Sequence, residues 1–186
     1  MKLRTNIFLI GFSGSGKSTI GKLLAKKLHC GFADIDKLIE SKSRKTIPDI
    51  FKSDGEETFR KLESAAIKNL FAKNKQAKPK VIALGGGAFQ SRATRLLLAE
   101  NGISVWLKCS ISEIYERLRK HSDRPKLTGK KESLSARRQK QTIRKLMFKR
   151  KDNYARADVR VITSDKTASR VALEIILKLR MINASD

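Results

Sequence analysis

The chain of 186 residues contains only two cysteines, three prolines and one tryptophan. Cys30 and Cys109 form no C-x-x-C pair and have no histidine at ligand spacing, which argues against a disulfide framework or a zinc site. No segment approaches the roughly 20 apolar residues of a membrane span, and the apolar run Ile7 to Ile10 is too short for a signal peptide. We therefore expect a cytoplasmic protein with reduced thiols and no membrane contact.

Acidic residues are also scarce, because 42 lysines and arginines face 18 aspartates and glutamates, giving a net charge of +24. The segment Glu116 to Lys151 alone carries fifteen basic and three acidic residues. Such a charge attracts polyanions nonspecifically and leaves a nucleic-acid-binding module as one alternative. Against that alternative, Phe148 is the only aromatic residue in this segment, whereas single-strand binders interleave several. We expect no obligate nucleic-acid partner.

Gly11 to Ser18 reads G-F-S-G-S-G-K-S and fits the phosphate-loop pattern G-x-x-x-x-G-K-[ST] at every fixed position. An apolar run precedes it, and apolar residues at helical spacing follow it, as the motif requires. The pattern predicts that Lys17 reaches the β- and γ-phosphates of ATP and that Ser18 ligates Mg²⁺. The nucleotide-binding residues predicted in this loop are Gly14, Ser15, Gly16, Lys17, Ser18 and Thr19.

Short apolar runs alternate with helical periodicity along the rest of the chain, which is typical of a parallel α/β sheet. Asp34 and Asp36 follow a short run after Gly31, a glycine that we interpret as the stop of the first helix. If they close a strand, both carboxylates point to one side at its carboxyl end, where parallel sheets bind ligands. The alternative is a helix-capping aspartate beside a solvated one.

Three further features predict a site. Arg60 is either the solvated partner of Glu63 on one helix or a guanidinium that grips a substrate carboxylate. Gly85-Gly86-Gly87 after an apolar strand allows close approach to a ligand, or forms a tight turn. The polar, basic segment from His121 onward predicts a mobile lid at about residues 121–135. In this lid, Arg124 is either the cation that meets the transferring phosphate or a solvated residue.

Together these motifs resemble those of the shikimate kinase family. The resemblance covers nearly the whole chain in register. The motifs are G-F-S-G-S-G-K-S-T-I-G, D-I-D-x-x-I-E, F-R-K-L-E, L-G-G-G and D-R-P-x-L. The resemblance implies a three-layer α/β/α fold of the nucleoside-monophosphate-kinase-like P-loop class, with a five-stranded parallel sheet. It also implies one domain over residues 1–186, a helical substrate-binding region at about 36–63, and a monomer.

The resemblance further implies phosphoryl transfer from MgATP to the 3-hydroxyl of shikimate. Asp36 would bind the ring hydroxyls and activate the nucleophile, while Arg60 and Arg150 would hold the carboxylate. Asp34 would hold Mg²⁺ through water, and Arg117 would contact the nucleotide base. The remaining implied site residues are Lys17 and Arg124 for catalysis, Gly85, Gly86 and Gly87 for substrate, and Phe51, Phe59 and Glu63 for the shape of the pocket. Another kinase of this fold, for gluconate or a nucleoside monophosphate, is the alternative.

Overall fold

Five parallel strands form the centre of the computed structural model, which describes residues 4–72, 78–120 and 136–183. The strands lie side by side in the order β2-β3-β1-β4-β5. The predicted five-stranded parallel sheet is therefore confirmed. The strands are β1 (Asn6–Ile10), β2 (Gly31–Asp34), β3 (Lys80–Ala83), β4 (Gly102–Lys108) and β5 (Val159–Ile162).

The helices of the described residues connect these strands. A single 3-10 turn, Ala88–Gln90, joins β3 to the next helix. The helices are α1 (Lys17–Leu28), α2 (Ile35–Ser43), α3 (Ile47–Ser53), α4 (Gly55–Ala72), α5 (Arg92–Asn101), α6 (Ile111–Arg119), α7 (Ala136–Tyr154) and α8 (Ala168–Asn183). None of them, within the described ranges, is long and apolar enough to cross a membrane.

The end of α1 differs from its prediction. His29 adopts a left-handed conformation (φ 51°) and its N–H donates to the carbonyls of Ala25 and Lys26. Gly31, which we interpreted as the stop, is instead the first residue of β2. A left-handed residue after the last helical turn satisfies the final carbonyls, and here a histidine takes that role in place of the expected glycine.

Both faces of the sheet are covered, which gives the three-layer arrangement. Along β1 the side chains alternate: Ile7 and Leu9 pack against α1 and α8, whereas Phe8 and Ile10 pack against the opposite layer. That layer includes α2 to α5 and the end of α7. These four of the five β1 residues are at most 1% exposed. Burial of each such side chain contributes about 1.5–3 kcal/mol, which explains the continuous apolar run.

Three neighbouring strands end at one edge of the sheet and position the site. β1 leads into the phosphate loop, β2 ends at Asp34, and β3 leads into the segment Gly85–Gly87. Because the three strands are parallel and adjacent, their carboxyl ends meet. Loops that are distant in sequence therefore line one space.

On the other side of β1, Asp158 binds the segment that precedes β5 to β4. Its Oδ2 accepts hydrogen bonds from the backbone N–H of Ser104 at 2.7 Å and from the Ser104 hydroxyl at 2.6 Å. The Ser104 hydroxyl in turn accepts from the backbone N–H of Asp158 at 3.1 Å. This exchange fixes the segment between α7 and β5 against the sheet.

Candidate active site

A cavity of about 470 Å³ opens at the carboxyl ends of β1, β2 and β3. It brings together residues that lie more than 100 positions apart in the sequence, from the phosphate loop to α7. The predicted site residues that line it are Gly14, Gly16, Lys17, Ser18, Thr19, Asp34, Asp36, Arg60, Gly85, Gly86, Gly87, Arg117 and Arg150. Phe51 and Phe59 complete part of its wall.

The phosphate loop has the backbone that an anion nest requires. Gly14 (φ 83°) and Gly16 (φ 92°) occupy the left-handed region, and Gly16 precedes the first turn of α1. Backbone N–H groups and the positive end of the α1 dipole therefore face the same point. Ser15 is fully buried, so its side chain lies inside the loop rather than on the cavity wall. Its contribution to binding a phosphate would come from its backbone.

Lys17 is buried at the base of the cavity, where it is only 8% exposed. Its ammonium donates to the carbonyl oxygens of Gly11 at 2.9 Å and Phe12 at 3.0 Å. These contacts hold a positive charge beside the nest in a poorly hydrated position, where its attraction for a phosphate is strongest.

Asp34 combines the two alternatives that the sequence left open. Its Oδ1 caps α2 by accepting from the backbone N–H groups of Asp36 at 3.1 Å and Lys37 at 3.4 Å. Its Oδ2 accepts from the Ser18 hydroxyl at 2.5 Å. One oxygen therefore starts a helix while the other lies beside the phosphate loop.

Asp36 does not belong to the strand that the D-x-D spacing suggested. β2 ends at Asp34, and Asp36 lies in the first turn of α2, so the two carboxylates are not placed by strand alternation. The capping hydrogen bonds of Asp34 divert the chain into a helix at this point. Asp36 nevertheless lines the cavity, from a helix N-terminus rather than from a strand end.

Arg60 is held by carboxylates on its own helix and also lines the cavity. Its Nη1 donates to Glu63 Oε2 at 2.6 Å, and its Nη2 donates to Glu56 Oε1 at 3.2 Å. Burial raises the pKa of Glu63, an effect that the Arg60 charge opposes. Glu63 Oε1 has no hydrogen-bond partner among the described residues, and Glu63 does not line the cavity. Glu63 thus holds the Arg60 guanidinium without itself lining the cavity.

Two of the three consecutive glycines, Gly85 and Gly87, make room for side chains of α2 and α4. A β-carbon on Gly85 would overlap Glu63 Oε1 and would lie 3.0 Å from Asp36 Oδ1. A β-carbon on Gly87 would lie 2.6 Å from Arg60 Nη1. The segment also makes the turn that we considered as the alternative, since the Ala88 N–H donates to the Gly85 carbonyl at 3.2 Å. The segment thus closely approaches the side chains of Asp36, Arg60 and Glu63, of which the first two line the cavity.

Arg150 and Tyr154 share the carbonyl oxygen of Gly86. Arg150 Nη1 donates to it at 3.0 Å, and the Tyr154 hydroxyl donates to it at 2.5 Å. The Arg150 guanidinium also lies over the ring of Phe12, 5.4 Å from its centroid. Burial raises the pKa of Tyr154 to about 12, so the hydroxyl remains a donor. Trp106 of β4 stacks on the Tyr154 ring at a centroid distance of 5.9 Å.

Arg117 connects α6 to the phosphate loop. Its Nη1 donates to the carbonyl of Gly14 at 3.2 Å, and its Nη2 donates to Glu113 at 2.6 Å. Although burial acts in the opposite direction, the Asp165 N–H and other donors, including Arg117, lower the pKa of Glu113. Arg124 and the predicted lid at 121–135 lie outside the described residues.

Tyr154 and Glu56 contact residues of the cavity wall, although the sequence alone assigned neither of them a role. Tyr154 is the last residue of α7, and nothing local to the sequence indicates that its hydroxyl reaches Gly86, 68 residues away. Glu56 precedes Arg60 by four residues, and this i,i+4 spacing was a signal for the pair.

A phosphate loop that shares one cavity with two aspartates and three arginines is typical of a P-loop kinase of small molecules. A sequence model described as shikimate kinase matches residues 13–180. The chain belongs to the shikimate kinase family.

Relatives over nearly the whole chain agree with this assignment. A shikimate kinase from Chlorobium limicola (strain DSM 245 / NBRC 103803 / 6330) is 42% identical over 176 residues, covering 94% of this chain and 86% of that protein. One from Sulfurihydrogenibium sp. (strain YO3AOP1) is 39% identical over 175 residues, covering 94% and 98%.

Solved structures show the same similarity. The shikimate kinase from Acinetobacter baumannii in complex with shikimate superposes with a TM-score of 0.85 at 33% identity, covering 96% of this chain and 94% of that one. A gluconokinase from Sinorhizobium meliloti 1021 covers 98% of this chain and 95% of that one, with a TM-score of 0.57 at 16% identity. The gluconokinase therefore shares the fold alone.

Proposed function

We propose that this enzyme transfers the γ-phosphoryl group of ATP to the 3-hydroxyl of shikimate, giving shikimate 3-phosphate and ADP. The observation that carries the proposal is the single cavity in which the phosphate loop, Asp36, Arg60 and Arg150 meet. A family relative binds shikimate in its solved structure, and that structure superposes over 96% of this chain. The gluconate alternative lacks comparable support.

Shikimate is a small anion with several hydroxyl groups, and the cavity offers complementary chemistry. Arg60 and Arg150 present two guanidiniums, which suit a carboxylate because of their planar donor geometry. Their anchors, Glu63 for one and the Gly86 carbonyl for the other, hold both side chains before substrate arrives. This preorganisation reduces the entropy lost on binding.

Asp36 is the carboxylate that we assign to the reacting hydroxyl. It lies at the start of α2, on the same cavity as Lys17 and the loop glycines. A carboxylate in this position orients the hydroxyl and accepts its proton as the oxygen attacks phosphorus. Lys17 stabilises the negative charge of the transferring phosphoryl group.

Mg²⁺ accompanies ATP in this proposal, and the residues present fit that ion. Ser18 Oγ and Asp34 Oδ2 are hard oxygen donors 2.5 Å apart beside the phosphate loop. Mg²⁺ prefers few protein ligands, retained waters and phosphate oxygens, so a hydroxyl with one carboxylate suffices. When bound, the ion neutralises phosphate charge. The described residues contain no cluster of three or more His, Cys, Asp or Glu that would offer an alternative site.

The remaining parts of the proposal rest on sequence patterns and on the family resemblance. They are the lid at 121–135 with Arg124, base contact by Arg117, a substrate-binding region at 36–63 within one domain of residues 1–186, a monomeric state and a cytoplasmic location. Light scattering coupled to size-exclusion chromatography tests the monomer directly.

The deciding experiment measures ADP formation from MgATP with shikimate, gluconate or a nucleoside monophosphate as parallel acceptors. We expect a rate that appears with shikimate alone. Phosphate on the 3-hydroxyl is then checked by ³¹P NMR of the product. Turnover with gluconate or a nucleotide, but not with shikimate, would refute the proposal.

A further inference from the structure

A second cavity, of about 510 Å³, lies on the other side of the 3-10 turn Ala88–Gln90, between α5 and the segment that precedes β5. Its wall includes three arginines: Arg92 and Arg95 from the first two turns of α5, and Arg156 from the residues after α7. Phe89, Leu96, Leu98 and Ala99 supply an apolar side. None of these residues lines the active-site cavity.

The three arginines line one cavity, and the charges of Arg92 and Arg156 act on Arg95. Burial and the positive charges of Arg156 and Arg92 together lower the pKa of Arg95. The first turn of α5 contains Arg92 and no acidic residue, so the helix dipole adds a further unfavourable interaction. Repulsion between like charges and an unfavourable helix dipole both destabilise the fold. A cluster that retains both indicates a function that compensates for this cost.

No protein carboxylate neutralises this cluster within the part of the chain that the structure describes. None of the three arginines forms an ion pair there. Asp158 is the one acidic residue on the wall, and its Oδ2 is occupied by the backbone and hydroxyl of Ser104. With Asp158 included, the cavity wall carries a net charge of about +2, which matches a dianion.

Arg95 is also fixed in place. Its Nη1 donates to the carbonyl oxygens of Phe89 at 2.8 Å and Gln90 at 2.9 Å. The guanidinium is thus ordered before any ligand binds, which lowers the entropic cost of binding. One ordered arginine, with two exposed arginines and an apolar wall beside it, offers the chemistry that recognises a phosphate or carboxylate carried on an organic body.

We propose that this cavity is a second anion site that binds a small organic phosphate, with Arg92, Arg95 and Arg156 on the phosphate and the α5 apolar side against its body. A phosphomonoester carries a charge of −1.5 to −2 near neutral pH, which suits the wall better than a monocarboxylate does. The site adjoins the active site through two short connections. The first is the turn Ala88–Gln90, whose Gln90 carbonyl accepts from Arg95 and which follows directly after Gly85–Gly87. The second is a hydrogen bond from Asn153 Nδ2 to Gln90 Oε1 at 2.9 Å.

The test titrates phenyl phosphate calorimetrically into protein saturated with MgADP, so that the phosphate loop is already filled. Arg92→Lys and Arg156→Lys keep the charge but remove the planar fork. Arg170→Lys is the matched control, because Arg170 is exposed on α8 and lines neither cavity. We expect one saturable site whose affinity falls roughly tenfold in each of the first two variants and stays unchanged in the control.

Three comparisons test whether phenyl phosphate binds in the second cavity and whether binding uses both its charge and its apolar ring. Arg60→Ala should bind phenyl phosphate as tightly as wild type, since that arginine belongs to the other cavity. Inorganic phosphate should bind more weakly than phenyl phosphate, because it cannot contact the apolar side. Benzoate, a monoanion, should also bind more weakly. Absence of saturable binding, equal losses in the Arg156 and Arg170 variants, a loss in Arg60→Ala or tighter binding of benzoate would each overturn the proposal.

Discussion

The carboxylate of Glu63, 4% exposed, forms a 2.6 Å ion pair with the one-third exposed guanidinium of Arg60. The pair joins a buried anchor to a cation on the cavity wall. Although burial alone would lower it, the Glu63 carboxylate raises the pKa of Arg60, so the cation persists at every physiological pH. Arg60 is thus available to a substrate anion in a fixed orientation.

Replacing Arg60 by alanine should therefore act mainly on substrate binding. We expect kcat/KM for shikimate to fall about 100-fold, chiefly through KM, because a charge-assisted bidentate contact is lost. KM for ATP should not change. Arg60→Lys should give an intermediate value, since it keeps the charge without the fork. Steady-state kinetics with each substrate varied decides the matter, and an unchanged KM for shikimate would contradict the assigned role.

Asp36→Asn should act on turnover. The amide keeps the size of the side chain but cannot accept the proton of the attacking hydroxyl, so kcat should fall by about 10² to 10⁴. KM for shikimate should change much less. Asp152→Asn is the control, because Asp152 is exposed on α7 outside the cavity. A kcat within tenfold of wild type would remove Asp36 from the chemistry.

The two functions of Asp34 separate in a pair of variants. Asparagine caps helices as well as aspartate does, so Asp34→Asn should leave the free energy of unfolding nearly unchanged. It should nevertheless raise the Mg²⁺ concentration needed for half-maximal activity, because the anionic oxygen beside Ser18 is gone. Asp34→Ala should add a loss of about 1 kcal/mol from the missing cap. Equal Mg²⁺ requirements in wild type and Asp34→Asn would argue against the metal role.

Gly87→Ala should disturb Arg60 without any change in charge. The new β-carbon would lie 2.6 Å from Arg60 Nη1, so the guanidinium must move. We expect a raised KM for shikimate with ATP binding intact. Gly31→Ala is the control, because its β-carbon would meet only the flexible Lys80 side chain, at 3.3 Å. Matching kinetics for the two variants would show that this close approach has no functional weight.

Tyr154 predicts an alkaline transition. Its pKa is raised from an unfolded value near 10 to about 12, so its neutral form stabilises the fold. That contribution is fully present below pH 10 and is lost as the pH rises through 12. At one pKa unit per 1.36 kcal/mol it amounts to about 3 kcal/mol. Chemical denaturation of wild type and Tyr154→Phe between pH 8 and 12 should show the difference in free energy of unfolding declining across this range. A difference that does not change with pH would refute it.

Much of the fold followed from local patterns. The phosphate loop has the flanks and glycine positions that are typical of a strand-loop-helix unit, and the alternation of apolar runs with helical periodicity predicted the parallel sheet. The boundaries that failed depended on backbone conformations with weak residue preferences. His29 took the left-handed conformation in place of Gly31, and the Asp34 cap started α2 two residues earlier than a strand through Asp36 would allow.

The candidate site was less accessible from sequence because it depends on long-range packing. Spacing identified Arg60 and Glu63 as helical neighbours, but it left open whether the pair faced solvent or the cavity. The pair lies toward the cavity because Gly85 and Gly87, which follow β3, leave space for these side chains. Likewise, Tyr154 meets Gly86 only because the end of α7 packs into the core cluster that also contains Phe8 of β1 and Trp106 of β4.

Trp106, the only tryptophan in the sequence, is 6% exposed and stacks on Tyr154. The Tyr154 hydroxyl contacts the Gly86 carbonyl, which Arg150 also contacts on the cavity wall. The protein therefore contains a built-in fluorophore two contacts away from the substrate pocket. Shifts in Tyr154 or Gly86 on ligand binding alter the surroundings of a single indole, so intrinsic emission can follow pocket occupancy in stopped-flow mixing without any attached dye.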